Sequence, residues 1–196
     1  MKNTNHSLFD KYEMIKDLGT GSSGSVTLVR HISMDQERAL KKDPKASAFA
    51  ESALSEARLL KSLEHPSIPR IFDFEEDNAF YYIVEEYIDG ETLDSFLLHQ
   101  QLISPGLFFN ICEQLCNVFI YLHTQISTPI IYRDLKPEHI IVCHNKLKLI
   151  DFGVSAYVIQ DGNNFNHYGN IEFSAPECFT EDTITPAADI YSLGQL

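Results

Sequence analysis

The chain has 196 residues, of which 44% are hydrophobic and 22% charged, the balance of one ordinary globular domain or two small lobes. A formal net charge of −13 disfavours nonspecific binding to nucleic acid or anionic membranes and suits basic protein partners. No stretch reaches the ~20 apolar residues that span a bilayer, and the polar start, Met1 to Ser7, has no apolar signal region.

Taken in order, Val26 to Arg30 and Arg38 to Lys41 read as strands flanking a turn. Phe49 to Leu63 reads as a helix, with Ala53, Leu54, Ala57, Leu60 and Leu63 on one stripe, ended by His65-Pro66. Ile68 to Phe74 and Phe80 to Glu85 read as strands joined at Asp77-Asn78. Asp89-Gly90 breaks this pattern. Thr92 to Gln100 then reads as a short helix. A longer one is capped by Ser104, with Pro105 at its first position and Leu107, Ile111, Leu115, Val118 and Leu122 on its apolar face. Short strands follow around Ile140 to Val142 and Leu147 to Ile150, and a lobe boundary is expected near Glu86 to Gly90.

Gly19-Thr-Gly21-Ser-Ser-Gly24-Ser-Val26 is a GxGxxGxV segment. Glycines let backbone approach phosphates closely, but a plain hairpin turn has the same composition. A dinucleotide-binding fold requires a helix directly after such a segment. The β-like Val26 to Arg30 favours a hairpin lid instead. Of the four cysteines, none forms a CxxC pair, so zinc is a poor reading. Cys112 and Cys116, four apart in an apolar helical run, are expected to be buried thiols in a reducing cytosol.

Later segments add specificity. Ala39-Leu40-Lys41 is followed by Glu56 in the helix, and Leu59 to Pro66 ends that helix. Arg133-Asp134-Leu135-Lys136-Pro137, Asp151-Phe152-Gly153, Ala175-Pro176-Glu177 and Asp189 to Gly194 come next. Their order and spacing resemble the protein kinase family, over residues 12 to 196. In texture, Glu86 to Leu93 and Pro129 to Asp134 resemble the eukaryotic-like, bacterial Hanks-type serine/threonine protein kinase catalytic domain.

The resemblance implies an α+β, bilobal fold. A small antiparallel-sheet N-lobe would cover residues 12–86, after a tail over 1–11, and a partial, mainly helical C-lobe would cover 87–196. It implies an ATP-dependent protein kinase acting on serine or threonine of protein substrates in the cytoplasm. Lys41, paired with Glu56, would contact the α- and β-phosphates; alternation allows only one of Lys41 and Lys42 inside, and the family spacing selects Lys41. Asp134 would orient the substrate hydroxyl and accept its proton, and Lys136 would neutralise the transferring phosphate. Asp151 would hold magnesium. Gly19, Gly21 and Gly24 would lie along the phosphates. Leu18, Val26, Ala39 and Ile141 would enclose the adenine, and Glu86 and Ile88 would meet its edge. Tyr132, Phe152 and Leu60 would form part of the stack linking the lobes, and Asp189 would anchor the catalytic-loop backbone.

Four positions depart from the family pattern. His139 stands where an asparagine holds the second metal; magnesium prefers oxygen, so manganese is the alternative cofactor. Tyr132 replaces a stacking histidine. Asn170, after Gly169, replaces the threonine that links catalytic Asp and Lys, and Phe173 replaces a tyrosine. From Ala156 to Phe173 there is no serine or threonine, so only Tyr157 and Tyr168 carry hydroxyls there, and loop order is expected to be constitutive or partner-driven. Finally, the chain stops soon after Asp189, so a truncated C-lobe, exposed apolar surface at Leu193 and a regulatory partner covering it are expected. Glu85 adds a charge at a usually apolar position, costly if buried without a partner. A nucleotide-binding pseudokinase scaffold is the alternative function. A small-molecule phosphotransferase is disfavoured by Lys136-Pro137 and Ala175-Pro176-Glu177.

Overall fold

Alternating apolar residues in the first third of the chain build strands, and the computed structural model describes residues 8–21, 24–47, 50–100, 102–158, 170–180 and 184–196. Met1 to Ser7, Phe49, Tyr168 and Gly169, which figure in the expectations above, lie outside these. Two compact units form, Met1–Leu63 with Pro69–Tyr87, and Glu64–Ile68 with Ile88–Leu196.

The first unit opens with a helical turn, α1 (Leu8–Lys11), followed by β1 (Tyr12–Thr20), β2 (Ser25–His31), β3 (Gln36–Pro44), α2 (Ala50–Lys61), β4 (Ile71–Glu76) and β5 (Phe80–Glu86). The strands form one antiparallel sheet in the order β1-β2-β3-β5-β4. Val26 pairs with Lys41, Leu28 with Ala39, Lys41 with Ile83 and Ala39 with Glu85. Directly opposed residues share a face, so these six side chains lie on one side of the sheet. On the other side Val29, Leu40, Tyr82 and Val84 form a core with Leu8 and Tyr12. Leu8 is fully buried although it falls within the expected tail, a burial that contributes roughly 1.5–3 kcal/mol. Lys11 fastens this turn to β4 through Asp73 at 2.7 Å and Glu75 at 3.3 Å.

β4 begins at Ile71, three residues later than expected from Ile68. Pro69 has no N–H to give a ladder, and Ile68 belongs to the other unit. Asp77 makes the turn to β5: its Oδ1 accepts the N–H groups of Ala79 and Phe80, both at 2.7 Å, and its Oδ2 accepts the Tyr82 hydroxyl at 2.9 Å. In α2, Ala53, Glu56, Ala57, Leu59 and Leu60 are buried, and Leu54 is only half-buried.

The second unit contains β6 (Glu91–Thr92), α3 (Leu93–His99) and α4 (Pro105–Ile120). Ser104 Oγ caps α4 by accepting the Leu107 N–H at 3.2 Å, and Pro105 opens it, as expected. Ile111, Leu115, Val118 and Phe119 are its buried face. The helix runs on into a π-helical turn, Tyr121–Gln125, that buries Leu122. β7 (Ile130–Ile131), a 3₁₀ turn at Pro137–His139, β8 (Ile140–Cys143), β9 (Lys146–Leu149), β10 (Ala156–Tyr157), a 3₁₀ turn at Pro176–Phe179 and α5 (Ala187–Gln195) follow. β6, β8 and β9 form one small sheet, and β7 pairs with β10. The Leu149 N–H reaches the Ser67 carbonyl at 2.8 Å and the His65 ring stacks on Tyr121, which ties Glu64–Ile68 to this unit.

The cysteine expectation needs correcting: Cys112 is half-buried and Cys116 is exposed, because one residue past Leu115 is a rotation of about 100° off the apolar stripe. Glu85, half-exposed, is not a buried charge. On α5, Ile190 and Tyr191 are exposed and Leu193 is half-buried. Among the described residues no helix is long and apolar enough to cross a membrane.

Candidate active site

In the first unit, strand alternation separates two adjacent lysines. Lys41 turns to the face that α2 presents Glu56 to, and its Nζ meets Glu56 Oε2 at 2.5 Å, with side chains only 12% and 3% exposed. Lys42 turns the other way and sits 4.0 Å over the Phe80 ring. Val26 is half-buried and Ala39 buried on the Lys41 face. Glu86 is half-buried at the end of β5; its N–H donates to the Arg70 carbonyl at 2.8 Å.

The glycine segment shows two different needs. A Cβ on Gly24 would meet the Lys42 carbonyl oxygen at 2.2 Å and Asp43 Oδ1 at 2.4 Å, so glycine is required for β2 to approach β3. A Cβ on Gly19 or Gly21 would meet nothing within 4 Å. Internal packing therefore does not explain those two, and open backbone there suits a ligand. The Gly21 N–H closes the turn on the Gly24 carbonyl at 2.8 Å, and Leu18 is 40% exposed beside it.

In the second unit the segment between β7 and β8 gathers the polar groups. Lys136 Nζ donates to Asp134 Oδ2 at 3.1 Å. His139 Nδ1 lies 3.0 Å from the Asp134 carbonyl oxygen and 3.3 Å from Asp134 Oδ2. His139 Nε2 lies 3.6 Å from Asp151 Oδ2. Two of the surrounding residues, Arg133 (φ 71°) and Asp151 (φ 60°), occupy the left-handed region, strain that persists only where neighbours over-determine it. Ile88 and Ile141 are half-buried in this unit.

The neighbours that hold this backbone are visible. Asp189, fully buried at the start of α5, accepts the Tyr132 N–H on Oδ2 and the Arg133 N–H on Oδ1, both at 2.8 Å. The expected anchoring role is thus met. His123 Nε2 shares Asp189 Oδ2 at 2.8 Å, a contact not foreseen, because His123 sits in an apolar run without a distinguishing neighbour. Arg133 Nε donates to the Val154 carbonyl at 2.6 Å and Ser155 Oγ to the Tyr132 carbonyl at 3.1 Å. The Tyr132 ring packs edge-on against Phe152 at 5.0 Å, and its hydroxyl donates to the Ile150 carbonyl. Leu60 is buried in the first unit. Asn170 accepts the Glu172 N–H on its own Oδ1 and the Ser174 N–H on its carbonyl, a local turn role.

Among the described residues no three His, Cys, Asp or Glu side chains are grouped to hold a metal. A magnesium bound through nucleotide phosphates needs only one or two carboxylates, and Asp151, with a side chain 43% exposed, fits that requirement.

A strand sheet with a Lys–Glu pair in one unit, and an anchored loop bearing Asp, Lys and His before a second Asp in the other, are the parts of a kinase-type fold. The chain belongs to the protein kinase domain family, whose model matches residues 12–196. It is 31% identical to the serine/threonine-protein kinase PrkC of Bacillus subtilis, over 94% of this chain and 29% of that protein. It is 34% identical to the serine/threonine-protein kinase ppk25 of Schizosaccharomyces pombe, over 91% of this chain and 43% of that protein. A third relative, PknB of Mycolicibacterium smegmatis, is 30% identical over 95% of this chain and 32% of its own length. The chain thus spans less than half the length of each of these relatives.

Proposed function

We propose that the protein is an ATP-dependent kinase that transfers the γ-phosphate to serine or threonine of protein substrates. The observation that carries this reading is the anchored group Asp134, Lys136, His139 and Asp151 in one unit. Phosphoryl transfer requires positioning and charge neutralisation rather than covalent chemistry, and these groups supply both. Lys136 and His139 both engage Asp134 Oδ2. Oδ1, which no described residue engages, is the oxygen we assign to the substrate hydroxyl and its proton. Lys136 stands one contact away to meet the transferred phosphate. Lys41, held by Glu56, grips the α- and β-phosphates, and the open backbone at Gly19 and Gly21 accommodates the phosphate chain. Leu18, Val26 and Ala39 are the first unit's apolar residues that we assign to the adenine, with the backbone at Glu86 assigned to its edge. Asp151, with His139 beside it, would hold the divalent metal, which would supply neutralisation of phosphate charge. The serine/threonine preference is supported by Lys136 and by the names of the relatives. A cytoplasmic location belongs to the same proposal, since the reaction consumes ATP.

Transfer from γ-labelled ATP to a basic protein, measured with magnesium and with manganese, tests it. Transfer should occur with at least one metal and be lost in Asp134→Asn. Nucleotide binding without transfer in either metal would sink the kinase reading. That outcome would favour a nucleotide-binding scaffold, a second reading supported by His139 standing between the two carboxylates.

A further inference from the structure

We propose that a cavity on the second unit docks an extended peptide segment of a partner protein, one that carries an aliphatic side chain beside an aspartate or glutamate. The cavity encloses about 400 Å3, and every residue lining it belongs to that unit. Its walls are the segment Glu64–Ile68, α4 with its π turn, and β9, and they are bonded to one another. The Leu149 N–H donates to the Ser67 carbonyl and the Glu64 N–H to the Tyr121 hydroxyl, both at 2.8 Å. Gln114 of α4 donates to the Asn145 carbonyl and accepts the Leu147 N–H, both at 2.9 Å. A cavity held this way exists before its ligand arrives, so binding carries little ordering cost. None of the residues assigned to phosphoryl transfer lines it.

Several polar groups of the lining are unspent. Ser67 is only 7% exposed, and its hydroxyl makes no hydrogen bond with any described residue. A buried hydroxyl without a partner is costly, and a ligand that supplies one removes the cost. The side-chain amides of Asn117 and Gln125 and the Lys146 ammonium are also unbonded among the described residues. An amide offers a donor and an acceptor together, which matches the N–H and C=O groups of an extended main chain. A phosphate only accepts and would leave the amide oxygens unused. Pro66 and Ile120, the latter 50% exposed, supply the apolar surface for an aliphatic side chain. Lys146 is the one formal charge of the lining. His65 adds none: burial and then Lys148 push its imidazole down, and its Nδ1 accepts the Ser67 N–H at 3.1 Å, as only the neutral ring can. A cationic cavity on a chain of net charge −13 complements a carboxylate where the rest of the surface repels one.

The test titrates the full nitrogen-15-labelled chain with an acetylated and amidated peptide, Ala-Leu-Glu-Leu-Ala, followed by nuclear magnetic resonance. Saturable shifts are expected at the side-chain amides of Asn117 and Gln125 and at the backbone of Lys146. Affinity should fall roughly fivefold or more when the peptide's Glu becomes Gln, and by a similar factor in Lys146→Gln. In Lys146→Glu the preference should reverse, so that a peptide with Lys at that position binds better than the Glu peptide. Ile120→Ser should weaken the Glu peptide and keep its advantage over the Gln peptide. Lys146 and Ile120 are both exposed, so these variants retain the fold. No saturable shift at those residues, or equal affinity for the Glu and Gln peptides, overturns the inference. So does the same set of shifts produced by inorganic phosphate at equal affinity, or by raising the protein concentration without peptide, which would assign the cavity to a simple anion or to a second copy. Because the readout is binding at a cavity apart from the transfer residues, failure here leaves the kinase reading standing.

Discussion

Replacing Asp189 with alanine removes the acceptor of three hydrogen bonds from the interior. Two come from the backbone of Tyr132 and Arg133 and one from His123, each at 2.8 Å. The carboxylate is fully buried, so water does not compensate for its loss cheaply. Each stranded backbone N–H costs about 1–3 kcal/mol. Arg133 also holds a left-handed φ of 71°, worth roughly 1–2 kcal/mol, and relaxation of that strain returns part of the loss. The net expectation for Asp189→Ala is a destabilisation of about 3–5 kcal/mol, or roughly 10 °C in melting temperature for a chain of this size. His123→Ala removes one hydrogen bond to Asp189 and the ring's stacking on Phe119 but keeps both backbone bonds, so it should cost less, about 1–3 kcal/mol. Urea and thermal unfolding of the whole chain, followed by far-ultraviolet circular dichroism, measure both. A loss below about 1 kcal/mol for Asp189→Ala, or equal losses for the two variants, would refute the anchoring argument.

The glycines separate folding from ligand binding. Gly24→Ala pushes a methyl into the Lys42 carbonyl and should cost about 1–3 kcal/mol, while Gly21→Ala should melt like wild type and weaken nucleotide binding; equal melting losses contradict this. Asp77 predicts a pH effect. Its carboxyl is held below the usual range by the N–H groups of Ala79 and Phe80 and then by the Tyr82 hydroxyl. The associated stability is present above the unfolded carboxyl pKa and is lost as pH falls through the depressed value. Asp77→Asn should therefore flatten the urea midpoint between about pH 5 and pH 2, and an unchanged slope would sink the assignment. Burial pushes the Cys178 thiol up, so a thiol reagent should label exposed Cys116 in the native protein and Cys178 only on unfolding.

The fold was largely legible where periodicity is regular and punctuated. Ser104-Pro105 marks the start of α4, and Asp77-Asn78 marks the turn into β5, because each involves bonds to residues only two or three away. Less legible were elements whose cause lies far along the chain. Leu8 is buried by strands β2, β3 and β5, and His123 finds its role only beside Asp189, 66 residues on. The π turn at Tyr121–Gln125 is invisible because its residues continue a helical pattern. In the candidate site the motif residues could be read singly, and alternation predicted that only one of Lys41 and Lys42 would face inward. The bridging position of His139 could not be read, since its two ring distances depend on the left-handed turn at Asp151.

The five-stranded sheet has two open edges, β1 and β4, and an unbroken edge invites another chain to pair with it. Both are spoiled. β1 shifts register between Met14 and Lys16 and again between Asp17 and Gly19, and β4 does so between Ile71 and Asp73. β4 also carries Asp73, Glu75 and Glu76, with Lys11 drawn across the first two. Part of the chain's acidity thus has a local purpose: it keeps a sheet with exposed Met14, Ile15 and Phe72 from growing strand by strand into a neighbouring molecule.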